Sequence, residues 1–288
     1  MNASSDIEFG GSASAIRHHY DVGNAFFSAW LDPTLSYSCA MWDGLPEDAS
    51  LIEAQQRKHA YHAEAIGAGP GMRVLDVGCG WGAMMRVLRD DFSVEECVGV
   101  TLSEEQHAHL QSLQDPAIGA KLTNWRDFEP DAPFDGVISI GAFEHFAHPD
   151  QSVDERREVY REFFKACRDW TNGKGRVSLQ TIAYGNMTPD EANPFISNEI
   201  FPDAELPTLA DIEAACSGLY NIENVRDDGL DYARTCEIWS RNLRRAVRAG
   251  EVDPETEPAA KYSRYLRMSA AGFRMRKIAL LRIIFSPV

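Results

Sequence analysis

Three observations predict an α/β fold built on a parallel sheet with crossover helices. Strand-like and helix-like segments alternate from residue 72 onward, and a glycine-rich turn joins the first strand to the helix after it. The 288 residues, 44% of them hydrophobic, suffice for one large core. Residues 73–77 read as a strand, 83–90 as a helix, Val94 to Val100 as a strand and 104–113 as a helix. Phe134 to Ile140 and Arg176 to Ile182 are further strands, separated by a helix near 153–169. Ahead of residue 70, segments around 14–30 and 49–66 carry aromatic and Leu residues on one side and His, Arg and Gln on the other, a helical preamble. Residues 184–207, rich in Pro, Asn and acids, read as an insertion able to cover a site, and Glu251 to Pro258 reads as a loop.

With 28 basic and 44 acidic side chains the net charge is −16, which repels phosphates and excludes nucleic acid as a substrate. The sign is uneven, because residues 241–288 hold 11 basic and 4 acidic side chains. This basic island reads either as a solvated helix face or as a surface for an anionic carrier, a pyrophosphate head group or a membrane. No stretch approaches the ~20 apolar residues of a membrane span, and the N-terminus lacks a basic start and an apolar run, so a cytoplasmic location is expected. Six scattered cysteines without a C-x-x-C pair predict free thiols, and no His, Asp and Glu cluster has metal-ligand spacing.

The turn after the first strand is Asp76-Val77-Gly78-Cys79-Gly80-Trp81-Gly82. Glycines let the backbone turn sharply and bring a ligand close to a helix N-terminus. Extended to Ala83, the run also satisfies the loose dinucleotide pattern, so alone it does not choose between nucleoside cofactors. A nicotinamide site wants an acid ~20 residues on, at the end of the second strand. Here that strand runs into Thr101, Leu102 and Ser103, and Glu104 arrives only inside the next helix. Asp76, at the tip of the first strand, suits a cationic amino-acid moiety better than a pyrophosphate. Together these features favour S-adenosylmethionine.

Blocks along the chain resemble the cyclopropane fatty acid and mycolic acid cyclopropane synthases, a branch of the class I S-adenosylmethionine-dependent methyltransferases. They begin with His19-Tyr20-Asp21-Val22-Gly23-Asn24, Leu31-Asp32-Pro33-Thr34-Leu35-Ser36-Tyr37-Ser38-Cys39-Ala40, and Ala54-Gln55 with Lys58. They continue through the glycine turn, Gly99 to Gln106, Ile140-Gly141-Ala142-Phe143-Glu144-His145-Phe146, Phe201-Pro202, Glu205-Leu206-Pro207, and Tyr232-Ala233-Arg234-Thr235 with Trp239. The resemblance implies a Rossmann-like seven-stranded class I methyltransferase sheet. Residues 1–70 would form a helical cap over the cofactor, and 71–288 a core with a covering insertion at about 184–207 and a basic C-terminal segment.

Cofactor contacts implied by the resemblance fall on Tyr37, Ser38, Gly78, Gly80, Thr101, Leu102, Gln106 and Trp125, joined by Asp76. Trp125 offers a flat face to a purine and Gln106 can pair with ribose hydroxyls, although Trp125 also reads as a core aromatic. The implied chemistry is attack of an alkene on an activated methyl group, followed by proton loss. A bicarbonate ion would serve as base at positions matching Cys39, Glu144, Ile182 and Tyr232. Glu144 also reads as an acid favoured at a helix start, and Cys39 as a small buried residue in a turn. Three departures stand out: Gln180 where a His is usual, Asp231 before Tyr232, and Arg274-Met275-Arg276-Lys277 without the usual Gly. Gln180 can donate a hydrogen bond but cannot carry a proton at neutral pH. His18, His19, His145 and His148 read as structural.

The expected function is therefore C-methyl transfer to an electron-rich alkene carbon of a hydrophobic acceptor (an acyl chain, isoprenoid or other natural product), with cyclopropanation or simple methylation as the outcome. The alternative is a small-molecule C- or N-methyltransferase in which Glu144 acts as base without bicarbonate.

Overall fold

The computed structural model describes residues 23–191 and 193–288. Of the helix expected around 14–30, residues 14–22, with His18 and His19, lie outside the described residues. Five strands run parallel: β1 (Arg73–Val77), β2 (Glu96–Thr101), β3 (Ile118–Leu122), β4 (Gly136–Ile140) and β5 (Arg176–Tyr184). Beyond them lie β6 (Tyr220–Asp227) and β7 (Ile278–Pro287), and the seven strands stand in the order β3-β2-β1-β4-β5-β7-β6. β7 is antiparallel to both of its neighbours. Two helices rather than one separate β6 from β7, and the second reverses the chain once more, so β7 enters from the opposite end. The seven-stranded α/β sheet expected from the resemblance is present.

The helices are α1 (Asn24–Ser28), α2 (Leu51–Ile66), α3 (Ala83–Asp90), α4 (Glu104–Ser112), α5 (Val153–Trp170), α6 (Leu209–Cys216), α7 (Gly229–Ala249) and α8 (Glu257–Arg274). Ser50 and Glu53 form a capping box at the start of α2, as Ser152 and Glu155 do for α5, so the local sequence fixes where each begins. Alternation along β1 feeds both faces of the sheet: Val74 packs with Ile66, Cys97 and Ile138, whereas Leu75 and Val77 pack with Phe163 and Phe164 of α5. Each such fully buried side chain stabilises the fold by about 1.5–3 kcal/mol. Gly136 lets α2 lie directly on β4, since a Cβ there would stand 3.0 Å from Ile66 Cδ1. A third cluster, aromatic and off the sheet, joins Phe27 and Trp30 to Trp239, Tyr262 and Phe273.

Several expectations need correction. The second and fourth strands begin at Glu96 and Gly136, later than read, because Val94 and Phe134 are buried outside the ladder. α8 starts at Glu257 with Pro258 in its first turn, so the loop is shorter than 251–258. The fifth strand continues to Tyr184, into the expected insertion, whose far end it meets through Tyr184 N–H donating to the Pro207 carbonyl (3.0 Å). On α2 the buried face carries Gln55, Lys58, His59 and His62. The His and Gln side, expected opposite the apolar one, is the side that packs on the sheet and on the loop before the helix. The basic island is divided: Arg282 is fully buried on β7, whereas Arg241, Arg244, Arg245 and Arg248 are exposed on α7.

Candidate active site

Two cavities open above the carboxyl ends of the parallel strands, where ligands of open α/β sheets bind. The first is lined by Asp76, Gly78, Gly80, Thr101, Leu102, Gln106 and Trp125, and by Tyr37 and Ser38 from the N-terminal segment. All nine expected cofactor residues are thus brought to one cavity. Asp76, the last residue but one of β1, is buried, and that burial pushes its carboxyl up to about 7 against the opposing pull of Lys58. The Gly78 and Cys79 N–H groups donate to the Val100 carbonyl (2.9 and 3.1 Å) and hold the turn against β2. Gly78 (φ +82°) has no room for a side chain, since a Cβ would meet Ala142 Cβ at 2.4 Å, whereas Gly80 faces open space. Thr101 donates its hydroxyl to Gln106 Oε1 (2.7 Å), which leaves Gln106 its amide donors for a ligand. Trp125 serves both readings: it lines the cavity and also packs against Phe146 (5.0 Å between centroids) and Phe163 (5.6 Å).

The N-terminal segment closes this cavity from above. Trp81 of the glycine turn donates its indole N–H to Asn24 (2.8 Å) and meets Phe27 at 5.3 Å. Asp32 and α2 shape the loop that carries Tyr37 and Ser38. Asp32 accepts from the Thr34 and Ser36 N–H groups (2.9 and 3.2 Å), and Gln55 donates to the Ser36 and Ser38 carbonyls (3.2 and 3.0 Å).

The second cavity lies between β5, the segment after it, and helices α7 and α8. Its walls are mostly apolar, with Ile182, Ile196, Phe201, Tyr232, Phe273 and Leu280 among them, and its polar lining includes Glu144, His145 and Gln180. Tyr37, Ser38, Gly141 and His145 line both cavities, so the two join there. Glu144 is buried; its Oε1 accepts from the Ile182 N–H (2.6 Å) and its Oε2 has no protein partner. Burial pushes its carboxyl up to about 7, against the lowering effect of the Ile182 hydrogen bond. Burial likewise lowers His145 to about 4, which keeps its imidazole neutral, and its Nδ1 has no protein partner. Tyr232 stacks on Phe273 (4.6 Å between centroids), and burial raises its hydroxyl well above the ordinary value, so it stays protonated.

Cys39 and Gln180 sit differently from their expected neighbours. The Cys39 thiol lines neither cavity; it donates to the Ala40 carbonyl (3.0 Å), and burial pushes it up to about 12. Gln180 lines the second cavity, yet its Oε1 accepts from Arg282 Nε (2.9 Å) and lies 3.4 Å from His62 Nε2. Arg282 also bonds Asp228 and the Cys39 and Ala40 carbonyls (3.2 and 3.1 Å). This buried cation therefore ties β5, β7 and the Cys39 loop together, a role that sequence reading did not reach.

A family model described as mycolic acid cyclopropane synthetase matches residues 10–283. The chain belongs to this family. Mycolic acid cyclopropane synthetases of this kind are S-adenosylmethionine-dependent methyltransferases, which agrees with a cavity at the glycine turn that joins an apolar one. Cyclopropane mycolic acid synthase 2 of Mycobacterium bovis is 34% identical over 278 residues, 90% of this chain and 90% of the relative. Cyclopropane mycolic acid synthase 1 of Mycobacterium tuberculosis is 33% identical over 281 residues, 90% of this chain and 92% of that protein. Among solved structures, the cyclopropane synthase MmaA2 from Mycobacterium tuberculosis superposes with a TM-score of 0.84 at 30% identity, covering 96% of this chain and 99% of that one. Mycolic acid cyclopropane synthase CmaA1, complexed with SAH and CTAB, gives 0.83 at 32% identity, covering 95% and 98%. Coclaurine N-methyltransferase, at 18% identity and a TM-score of 0.72, shares the fold. Among the described residues no helix is long and apolar enough to cross a membrane.

Two site residues of this family member lacked an assigned role at the level of sequence. Lys58, buried on α2, donates to Ser38 Oγ (2.8 Å) and lines the first cavity. Its signal was available, because it shares the helical spacing of Ala54, Gln55, His59 and His62 on the buried face. Arg282 had no such signal, since a lone Arg in an apolar strand says nothing about what it meets across the sheet.

Proposed function

We propose that this protein transfers a methyl group to an alkene carbon of a long hydrophobic acceptor, with Glu144 taking the proton that the acceptor then loses. The observation that carries this reading is the junction of the two cavities at Tyr37, Ser38, Gly141 and His145, with the unpartnered Oε2 of Glu144 on the apolar side. The first cavity fits S-adenosylmethionine: Asp76 would face its ammonium, Gln106 its ribose and Trp125 its adenine. When bound, that cofactor would supply a methyl group activated on a sulfonium.

The chain's own residues account for the rest. Ile182, Phe201, Tyr232 and Phe273 exclude water that would quench a cation on the acceptor, and the aromatic faces stabilise its positive charge. Glu144, ionised above about pH 7, accepts the proton at Oε2, whether the electrons of the broken C–H bond close a ring or restore a double bond. Tyr232 and Gln180, which line the same cavity, supply neutral donors to it. Bicarbonate fits less well than the resemblance implies. The Ile182 N–H is committed to Glu144 and the Cys39 thiol to Ala40, so no step is routed through that ion. At the outer end of the acceptor wall, Met275, 60% exposed, adjoins Arg276 and Lys277, which suits an acceptor delivered on an anionic carrier.

The test is to incubate the protein with trideuteromethyl S-adenosylmethionine and unsaturated acyl acceptors or host extracts, and to follow the label by mass spectrometry. An acyl product that keeps two deuteriums means that the proton left the transferred methyl group, giving a ring or a methylene, and one that keeps three means simple methylation; either supports the reading. Label confined to a small polar or aromatic product replaces it with the small-molecule alternative.

A further inference from the structure

Gln180 on β5 and Arg282 on β7 stand directly opposite each other in the antiparallel ladder, and both are buried, at 1% and 0% exposure. Arg282 is itself held by Asp228 and by the Cys39 and Ala40 carbonyls, and its Nε–H donates to Gln180 Oε1 (2.9 Å). A guanidinium donates and never accepts, so this contact fixes which end of the amide faces Arg282: the oxygen. His62 on α2 gives the same answer. Burial keeps its imidazole neutral, and its Nε2 lies 3.4 Å from Gln180 Oε1 while its Nδ1 lies 2.8 Å from Ser178 Oγ. The arrangement that satisfies every member runs from the Ser178 hydroxyl into Nδ1 and from Nε2–H into Oε1. With its oxygen taken twice from behind, the planar amide has its NH2 left for the acceptor cavity that Gln180 lines, and among the described residues Nε2 has no hydrogen-bond partner. Glu144 Oε2, on the same cavity, is also without one, so the two do not meet. A buried amide donor left unmet is costly, and a plain hydrocarbon would leave it so.

We propose that Gln180, locked by Arg282 and His62, reads a hydrogen-bond-accepting oxygen on the acceptor near its reacting double bond, so that the preferred substrates are oxygen-bearing unsaturated chains rather than plain hydrocarbons. This deepens the reading of the second cavity as the alkene site and rests on it. Gln180 becomes a specificity-determining residue, and Arg282 a positioning residue that acts through it. The oxygen belongs near the double bond because Gln180 stands two residues before Ile182, on the same face of β5, and the Ile182 N–H is what holds Glu144. The two polar groups divide the work by chemistry: ionised Glu144 offers only acceptor oxygens, and Gln180, its own oxygen taken, offers only donors.

The experiment compares kcat/KM of the full chain for long cis-alkene acyl acceptors in which one methylene, two to four carbons from the double bond, is replaced by a ketone, with the all-carbon chain as reference. A ketone accepts but does not donate, so it addresses Gln180 and not Glu144. Wild type should favour one of the ketone chains by ~10- to 100-fold, the range for satisfying a buried donor. Gln180→Glu keeps an oxygen for Arg282 and loses the N–H, so it should erase or reverse that preference while affinity for S-adenosylhomocysteine stays unchanged. Equal loss for ketone and all-carbon chains would make Gln180 merely structural and overturn the proposal. A preference that survives in Gln180→Glu belongs to another donor, such as Tyr232, and overturns it too. Should Gln180→Glu not fold, Gln180→Met and the wild-type comparison still decide it, since a wild type indifferent to the ketone overturns it alone. Wild type that turns over none of these chains removes the alkene reading itself. Equal turnover of all of them keeps that reading and removes only this inference.

Discussion

The two cavities are built by opposite means. On the cofactor side two turns supply most of the expected contacts, Asp76, Gly78 and Gly80 from one and Thr101, Leu102 and Gln106 from the next, with Tyr37, Ser38, Lys58 and Trp125 added from elsewhere. The acceptor side is apolar and assembled from a distance, with Glu144 after β4, Ile182 on β5, Phe201 in the segment beyond, Tyr232 on α7 and Phe273 on α8. A site that must match one fixed nucleoside can be made from short runs at strand ends. A site that must hold a greasy chain needs area, and area comes from many elements packed together.

Substitutions sharpen this contrast by separating turnover from binding. The largest effect is expected from Glu144→Gln, which should lower methyl transfer by ~10²- to 10⁴-fold in a single-turnover assay. Its affinity for S-adenosylhomocysteine should stay within a few-fold; substantial remaining turnover would remove Glu144 from proton transfer. Next, Tyr232→Phe should cost ~10- to 1,000-fold in kcat with cofactor affinity unchanged.

The pH profile follows in size. Glu144 must be ionised to act as base, so the rate should fall about tenfold per pH unit as pH drops below about 7, and a profile flat from pH 5 to 8 would contradict this. The sign for stability is opposite. Its folded value lies above its ordinary 4.5, so the folded state is favoured most below 4.5 and loses that advantage as pH rises to about 7. Glu144→Gln should therefore be more stable than wild type at pH 8, on the order of 3 kcal/mol, and no more stable at pH 4, as chemical denaturation would report.

Smaller effects test each wall. Ser269→Trp on α8 narrows the acceptor cavity and should raise KM for a long-chain acceptor about tenfold while leaving the cofactor Kd alone. Gln106→Ala should do the reverse, weakening S-adenosylhomocysteine by ~2- to 10-fold with acceptor KM unchanged. A variant on either side that moved both constants equally would mean the cavities are one site rather than two joined ones.

Legibility in the sequence divides along the same line. The alternation from residue 72 and the run of glycines placed β1, α3 and α4 almost to the residue, because each is dictated by period, turn chemistry and caps within a few positions. β3, β6 and β7 escaped notice. β3 and β6 are edge strands with exposed residues and weak alternation, and the antiparallel insertion of β7 is invisible from its own residues. Cys39 shows how resemblance can name a position without its geometry: the residue is near the site, yet its thiol turns to Ala40.

The sequence by itself determined the α/β fold and the nucleoside cavity, since strand-end turns carry their conformation in Gly78, Gly80 and Gly82 and their chemistry in Asp76. Only the tertiary structure decided that Lys58 and Asp76 share a cavity unpaired, and that Arg282 holds Gln180. It also decided that Glu144 is raised to about 7 among residues from five separate elements. The reason is physical: a turn's geometry is set by neighbours in the chain, whereas burial, and the shift it imposes on a charge, is set by everything that packs around it.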